Sequence, residues 1–300
     1  MTLMQLQYFL EIARTKNFTV AASNLYVSQS SLSYAIRELE TELDVPLFMR
    51  RPNRGIELSM YGMALIPYAE EGLRLLEDGR NHISSMKSPL HGKVRLGFFH
   101  SIAFSAVPAL LKRFREDNPA NEIDFDTIVH HNWVDFRQML LDGKSDLVLS
   151  AGNLGGNVES VKIAEHRMFL IVPGDHQLAG LEHVSLREIC DEQFIQIDSG
   201  SNMDKNIKAM FEDSGLKPRI RYVADWTAQQ LAVTSGKGIA ITCDAAFDTR
   251  YVSRIDIDSD YTYLPLYLSW TNMHKLSGAS MYVRDYLLKL AESDKHELIF

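Results

Sequence analysis

Gln29, Ser30, Ser33, Tyr34 and Arg37 fall on one face of a stretch that reads as a helix. Each can bond a base edge or a phosphate. Gln and Arg match the bidentate patterns that adenine and guanine present in a major groove, and Ser and Tyr bond bases or phosphates. Ser28 stands before them as an N-cap, its hydroxyl placed to accept from a backbone N–H of the first turn. Gln29 and Ser30 lie in that turn, where free N–H groups and the helix dipole favour a phosphate. Glu38, Glu40 and Glu42 flank this face without occupying its centre. The competing reading is the solvated side of an ordinary amphipathic helix. A second group follows: Arg50, Arg51 and Arg54 surround the turn formers Pro52, Asn53 and Gly55. Arginines on a hairpin tip reach phosphates or a narrow minor groove, with a solvated basic loop as the alternative.

The elements that must hold these groups follow from spacing. Leu32, Ile36, Leu39 and Leu43 repeat at intervals of four, three and four, an apolar stripe opposite the polar face. Leu3, Leu6, Phe9, Leu10 and Ala13 predict a first helix over 3–16. Thr19, a further candidate DNA contact, opens a short helix with Val20, Ala21, Ala22 and Leu25. Residues 24–27 supply a tight turn. Helix, short helix, turn and longer helix make a helix-turn-helix, and Leu47 and Phe48 anchor a wing behind it. Residues 1–58 are thus expected to form an all-α winged helix-turn-helix DNA-binding domain. Residues 59–90 are expected to form a linker helix and hinge. Ser59 caps it, Pro67 sits near its start, and Ile66, Ala69, Leu73, Leu76 and Ile83 form a heptad-like dimerisation seam interrupted by Arg80. A helix lying on its own domain is the other reading. Two reading heads on a two-fold axis would match a palindromic operator.

After SPLHG at 88–92 the rhythm changes to strand and helix in turn. Strands are predicted at 94–99, 122–129 and 146–150, with helices at 104–117 and 132–141. A second block follows, with strands near 168–172, 194–197, 220–223 and 239–243 and helices near 186–190, 203–214 and 227–235. An extended segment at 263–268 precedes a closing helix at 278–293. This alternation implies βαβ units and parallel sheets. Such sheets bind ligands at the carboxyl ends of their strands. Phe99, His100 and Ser101 end one strand, Ser150 another, and Ser201, Asn202, Trp226 and Thr227 open helices. Ser101, Ser201 and Asn202 would donate to a small carboxylate or similar anion. Phe99 and Trp226 would wall it, and His100 and His130 would add charge or hydrogen bonds. Ordinary helix caps and structural histidines are the alternative.

Composition narrows the function classes. The net charge is −8, which argues against coating nucleic acid by bulk charge. Residues 1–90 carry nine Lys/Arg and ten Asp/Glu, or −1, leaving −7 for the remainder. Contact with DNA must rest on placement, and a modest salt slope follows. Cys190 and Cys243 offer neither a disulfide framework nor zinc spacing. No G-x-S-x-G elbow appears, GNLGG at 152–156 lacks the lysine of a phosphate loop, and the histidines lack ligand spacing, so an enzyme, a cofactor and a metal are not expected. The start of the chain lacks a basic leader and no apolar run spans a bilayer, so a cytoplasmic location without membrane contact is expected. A solute-binding protein would need export.

Residues 1–87 resemble the N-terminal part of LysR-type transcriptional regulators, through LQYFLEIARTKNFTVAASNLYVSQSSLSYAIRELETELDVPLFMR, the wing, and LSMYGMALIPYA. The rest of the chain fits with weaker motifs. Tyr34 replaces a basic residue found in many relatives, and Ser30 a common proline, so the operator sequence does not carry over. The resemblance implies an effector-binding domain over 91–300, like a periplasmic binding protein: lobe I at 91–163 and 266–300, lobe II at 164–265. It also implies a small-molecule effector, allosteric control, and a homodimer that pairs into a homotetramer.

Overall fold

The computed structural model describes residues 1–51, 55–88, 90–130, 133–197, 202–243 and 249–293. The chain divides into two compact units, 1–83 and 84–300. In the first, helix α1 (Leu3–Thr15), α2 (Phe18–Asn24) and α3 (Gln29–Leu43) precede strands β1 (Phe48–Arg51) and β2 (Gly55–Leu58), and α4 (Met60–Lys87) follows. Each early helix starts on a side-chain cap. Thr2 and Gln5 close a reciprocal box on α1, Asn17 Oδ1 accepts from Thr19 N and Val20 N, and Ser28 Oγ accepts from Ser31 N at 3.0 Å. Such caps contribute roughly 1 kcal/mol each. Left-handed residues Lys16, Tyr26 and Asp44 turn the chain between elements.

The helices bury Phe9, Ile12, Ala21, Ala22, Leu32, Ile36 and Leu39 in one core, which Leu47 and Ala69 complete. The small side chains of Ala21 and Ala22 let α2 sit close against its neighbours. Phe48 packs tilted or edge-on against Phe9 and Phe18, at centroid distances of 5.5 and 5.9 Å, and roots the hairpin in this core. β1 and β2 pair antiparallel, Phe48 opposite Leu58 and Arg51 opposite Gly55. Ser59 caps α4, accepting from Gly62 N at 3.0 Å and donating to Pro46 O.

The seam expected along α4 divides. Ala69 is buried in the core of this unit, and Ile66 and Leu73 pack against the same core. Ala69 thus serves the core of its own domain, with Ile66 and Leu73 partly buried beside it. Leu76 and Ile83 remain 49% and 63% exposed. A further open stripe lies beside the predicted one, where Tyr61, Tyr68 and Leu75 recur every seven residues, with Gly72 between the last two and Gly79 after them. Tyr68 and Leu75 are 77% and 56% exposed.

In the second unit β3 (His91–Phe99), α5 (Ala106–Asp117), β4 (Glu122–His130), α6 (Trp133–Leu141) and β5 (Leu147–Ser150) form the start of lobe I. A 3-10 turn at His100–Ile102 precedes α5, which begins two residues after the predicted start at 104. The chain then crosses on β6 (Val158–Arg167) into β7 (Phe169–Pro173), β8 (His183–Val184), α7 (Leu186–Ile189), β9 (Gln193–Ile197), α8 (Asn202–Asp213), β10 (Arg219–Val223), α9 (Trp226–Thr234), β11 (Ala240–Thr242) and β12 (Val252–Ile257). It returns on β13 (Tyr263–Thr271) and closes with α10 (Gly278–Ser293).

Lobe I is a five-stranded sheet in the order β4-β3-β5-β13-β6. β3 runs parallel to β4 and β5, as βαβ units require, while β13 is antiparallel to β5 and β6. Lobe II holds a four-stranded sheet, β11-β7-β12-β8, and a parallel pair, β10-β9. β7 is antiparallel to both its neighbours, which corrects the expectation of a purely parallel second lobe. The reason is topological: long strands that cross between lobes must enter and leave in opposite directions. β6 and β13 are paired antiparallel throughout. Ala164 and Leu266 belong to the lobe I core, and Met168 and Leu264 to the lobe II core.

Candidate nucleic-acid interface and inter-lobe cleft

The polar face of α3 is open. Thr19, Ser28, Gln29, Ser30, Tyr34 and Arg37 are exposed, and Ser33 is half-buried. The opposite face buries Leu32, Ile36 and Leu39, so the core fixes which side these polar residues present. Ser28 Oγ lies 2.9 Å from Ser30 Oγ and 2.7 Å from Ser31 Oγ, which ties the first-turn hydroxyls together. Arg37 makes no ion pair with a described residue, leaving its guanidinium available. Arg50 and Arg51 lie on β1. Their side chains, and Arg54 as a whole, lie outside the described residues.

Sequence inspection missed two groups here. Tyr26, in the turn before α3, holds a left-handed backbone (φ 55°) and is almost wholly exposed. Glu40 Oε1 accepts from Leu47 N at 2.7 Å and Phe48 N at 3.2 Å. A Glu on a helix flank carries no sequence signal for such a bond; only the returning chain supplies its partners.

In the second unit, the strand ends of the two lobes meet. His100, after β3, stands 5.2 Å from the Trp226 ring at the start of α9, with the planes tilted by 40°. Phe104 lies edge-on to His100 at 5.8 Å. Cys243, after β11, donates from Sγ to Ser101 Oγ at 3.5 Å. Asn202, opening α8, donates to Ala151 O at 3.0 Å. Phe99 packs against cores on both sides of the lobe I sheet. Ser150 is buried and donates to Gly152 O at 2.9 Å, so its hydroxyl holds the loop after β5. Thr227 is exposed. Ser201 and the His130 side chain lie outside the described residues. Cys243, Phe104 and Asp225 join this region without having been singled out in the sequence. Asp225 caps α9, accepting from Ala228 N at 2.8 Å. Trp226 Nε1 is inaccessible and has no hydrogen-bond partner among the described residues.

Close by on β6, His166 is buried, with Nε2 3.4 Å from Ser105 Oγ. Burial lowers its pKa from 6.5 to about 4, so the ring is neutral near pH 7. Among the described residues, no His, Cys, Asp and Glu cluster fits a metal, and no helix is long and apolar enough to cross a membrane.

A winged reading head followed by two α/β lobes that meet at their strand ends defines an effector-controlled DNA-binding regulator. Residues 3–63 match the bacterial regulatory helix-turn-helix protein, lysR family, and residues 87–291 match the LysR substrate binding domain. The chain belongs to the LysR family of transcriptional regulators, which are not enzymes. It is 29% identical over 299 residues to YybE, an HTH-type transcriptional regulator of Bacillus subtilis (strain 168), covering 98% of this chain and 97% of that one. The crystal structure of CbnR, a LysR family transcriptional regulator, superposes with a TM-score of 0.78 at 22% identity, covering 97% of this chain and 99% of CbnR. The effector binding domain of QuiR in complex with shikimate superposes with a TM-score of 0.60 at 23% identity, covering 69% of this chain and 99% of that one.

Proposed function

We propose that this regulator reads a palindromic operator as a homodimer, paired into a homotetramer, and that a small anionic effector bound between the lobes controls it in the cytoplasm. The observation that carries the effector reading is the meeting of three cross-lobe pairs: His100 with Trp226, Ser101 with Cys243, and Ala151 with Asn202. They come from strand ends far apart in sequence, the place where α/β lobes take ligands. A crystal structure of full-length CbnR exists with its target DNA, and QuiR holds shikimate, so both partner types occur on this fold.

The cleft gives the anion a direction. Asp225 already occupies the first turn of α9 with a carboxylate of its own. The α8 end carries Asn202, which already reaches across to Ala151 O, and His100 lies against Trp226 on the α9 side. The reading face of Gln29, Ser30, Ser33, Tyr34 and Arg37 supplies base contacts, and Arg50, Arg51 and Arg54 supply phosphate contacts. Coupling between the two sites is reciprocal, so operator DNA changes effector affinity by the same factor as effector changes operator affinity.

A thermal-shift screen of organic acids against matched neutral and cationic analogues tests the effector class. Carboxylates are expected to raise the melting temperature, with the gain reduced by Asn202→Ala. Stabilisation by neutral or cationic compounds alone contradicts the anion.

A further inference from the structure

We propose that Glu40 is a positioning residue for DNA recognition, holding the arginine wing at a fixed place beside the reading helix. Electrostatically its position is unfavourable. Glu40 lines the same surface cleft as Gln29, Ser33 and Arg37, beside the wing residues Phe48 and Ile56. A carboxylate there repels the phosphates that the wing attracts. It makes no ion pair with Arg37 or any other described residue that would offset this.

What the carboxylate does hold is backbone. One oxygen takes both Leu47 N, at 2.7 Å, and Phe48 N, at 3.2 Å. Bonds from N–H to a carboxylate are about twice as strong as neutral ones. They fall at the root of the wing, because β1 begins at Phe48. The other side of the same root is tied to α4. Leu47 O accepts from Ser59 N at 2.9 Å, and Ser59 Oγ donates to Pro46 O. Residues 46–48 are therefore clamped between α3 and α4, and Glu40 is the α3 half of the clamp. Glu40 stands three positions after Arg37, so the helix that carries the reading face also sets where β1 begins.

Charge and position make opposite predictions, which gives the test its sign. The full-length protein is titrated into a labelled duplex of its own upstream region over a range of salt concentrations. Glu40→Gln removes the negative charge and keeps an oxygen acceptor. It is expected to bind as tightly as the natural protein or up to about threefold tighter, with the same salt slope. Glu40→Ala removes the same charge and the acceptor. It is expected to bind at least about tenfold more weakly, with a slope shallower by about one to two per protomer as wing phosphates are lost. Glu40→Asp keeps the charge but shortens the reach by one methylene. It is expected to behave like Glu40→Ala, and it carries the test if the alanine variant does not fold. Tighter binding by Glu40→Ala with an unchanged slope overturns the proposal, as does natural affinity in Glu40→Asp. Equal loss in Glu40→Gln and Glu40→Ala overturns it too, because glutamine retains the acceptor.

Discussion

Arg37 and Tyr34 show how much a single residue discloses in sequence. Their types, and their place opposite Leu32, Ile36 and Leu39, marked them for an exposed face, and the core leaves that face open. Glu40 and Cys243 were not legible, because their partners arrive from chain segments that no local pattern announces. Ser150 shows the reverse case: a hydroxyl at a strand end looked ready for a ligand, yet it bonds its own loop. His166 yields a prediction at this scale. Its pKa is about 4 when folded against 6.5 when free, so the unfolded chain holds the extra proton between these values. Its contribution to stability is complete above pH 6.5 and falls as the pH drops toward 4, by up to roughly 3 kcal/mol. Urea unfolding between pH 7 and 4 should show a shallower acid loss for His166→Gln. An unchanged pH slope in that variant contradicts the assignment.

At the scale of elements, strong periodicity was read well. The cap at Ser28 and the closing helix α10 stand where the sequence placed them. β6 and β12 were missed because charged side chains interrupt their apolar alternation. The apolar run on α4 divides between its own core and an exposed side, since a heptad-like run of apolar residues does not say whether its partner is the same domain or another chain. Only Ala69, with Ile66 and Leu73 beside it, reveals the first use. Close packing at the root of this helix is demanding: a Cβ on Gly62 would stand 2.3 Å from Leu47 O. Gly62→Ala should therefore lower the melting temperature and, through Leu47, disturb the wing, as calorimetry and DNA titration would show. Leu75 makes the opposite prediction. It is exposed on the stripe, so Leu75→Glu should leave the fold intact while weakening self-association at least about tenfold in sedimentation equilibrium. Unaltered association would remove α4 from the dimer interface.

The whole molecule is acidic, with −8 in total and −1 over residues 1–90, yet it belongs to a family of DNA-binding regulators. Such a balance directs binding energy into a few placed contacts rather than a general field. The two-lobed domain was legible as alternating strand and helix, but its crossing strands and mixed lobe II sheet were not, because strand direction depends on which lobe each segment joins. The most direct measurement is a salt-dependent titration of the protein's own upstream region against a scrambled duplex, with Arg37→Ala in parallel. Sequence-specific binding is expected, with a slope well below ten per protomer, and Arg37→Ala should lose about 1–3 kcal/mol of discrimination. Equal affinity for both duplexes, or a slope near ten that Arg37→Ala leaves unchanged, contradicts a lightly charged reading helix.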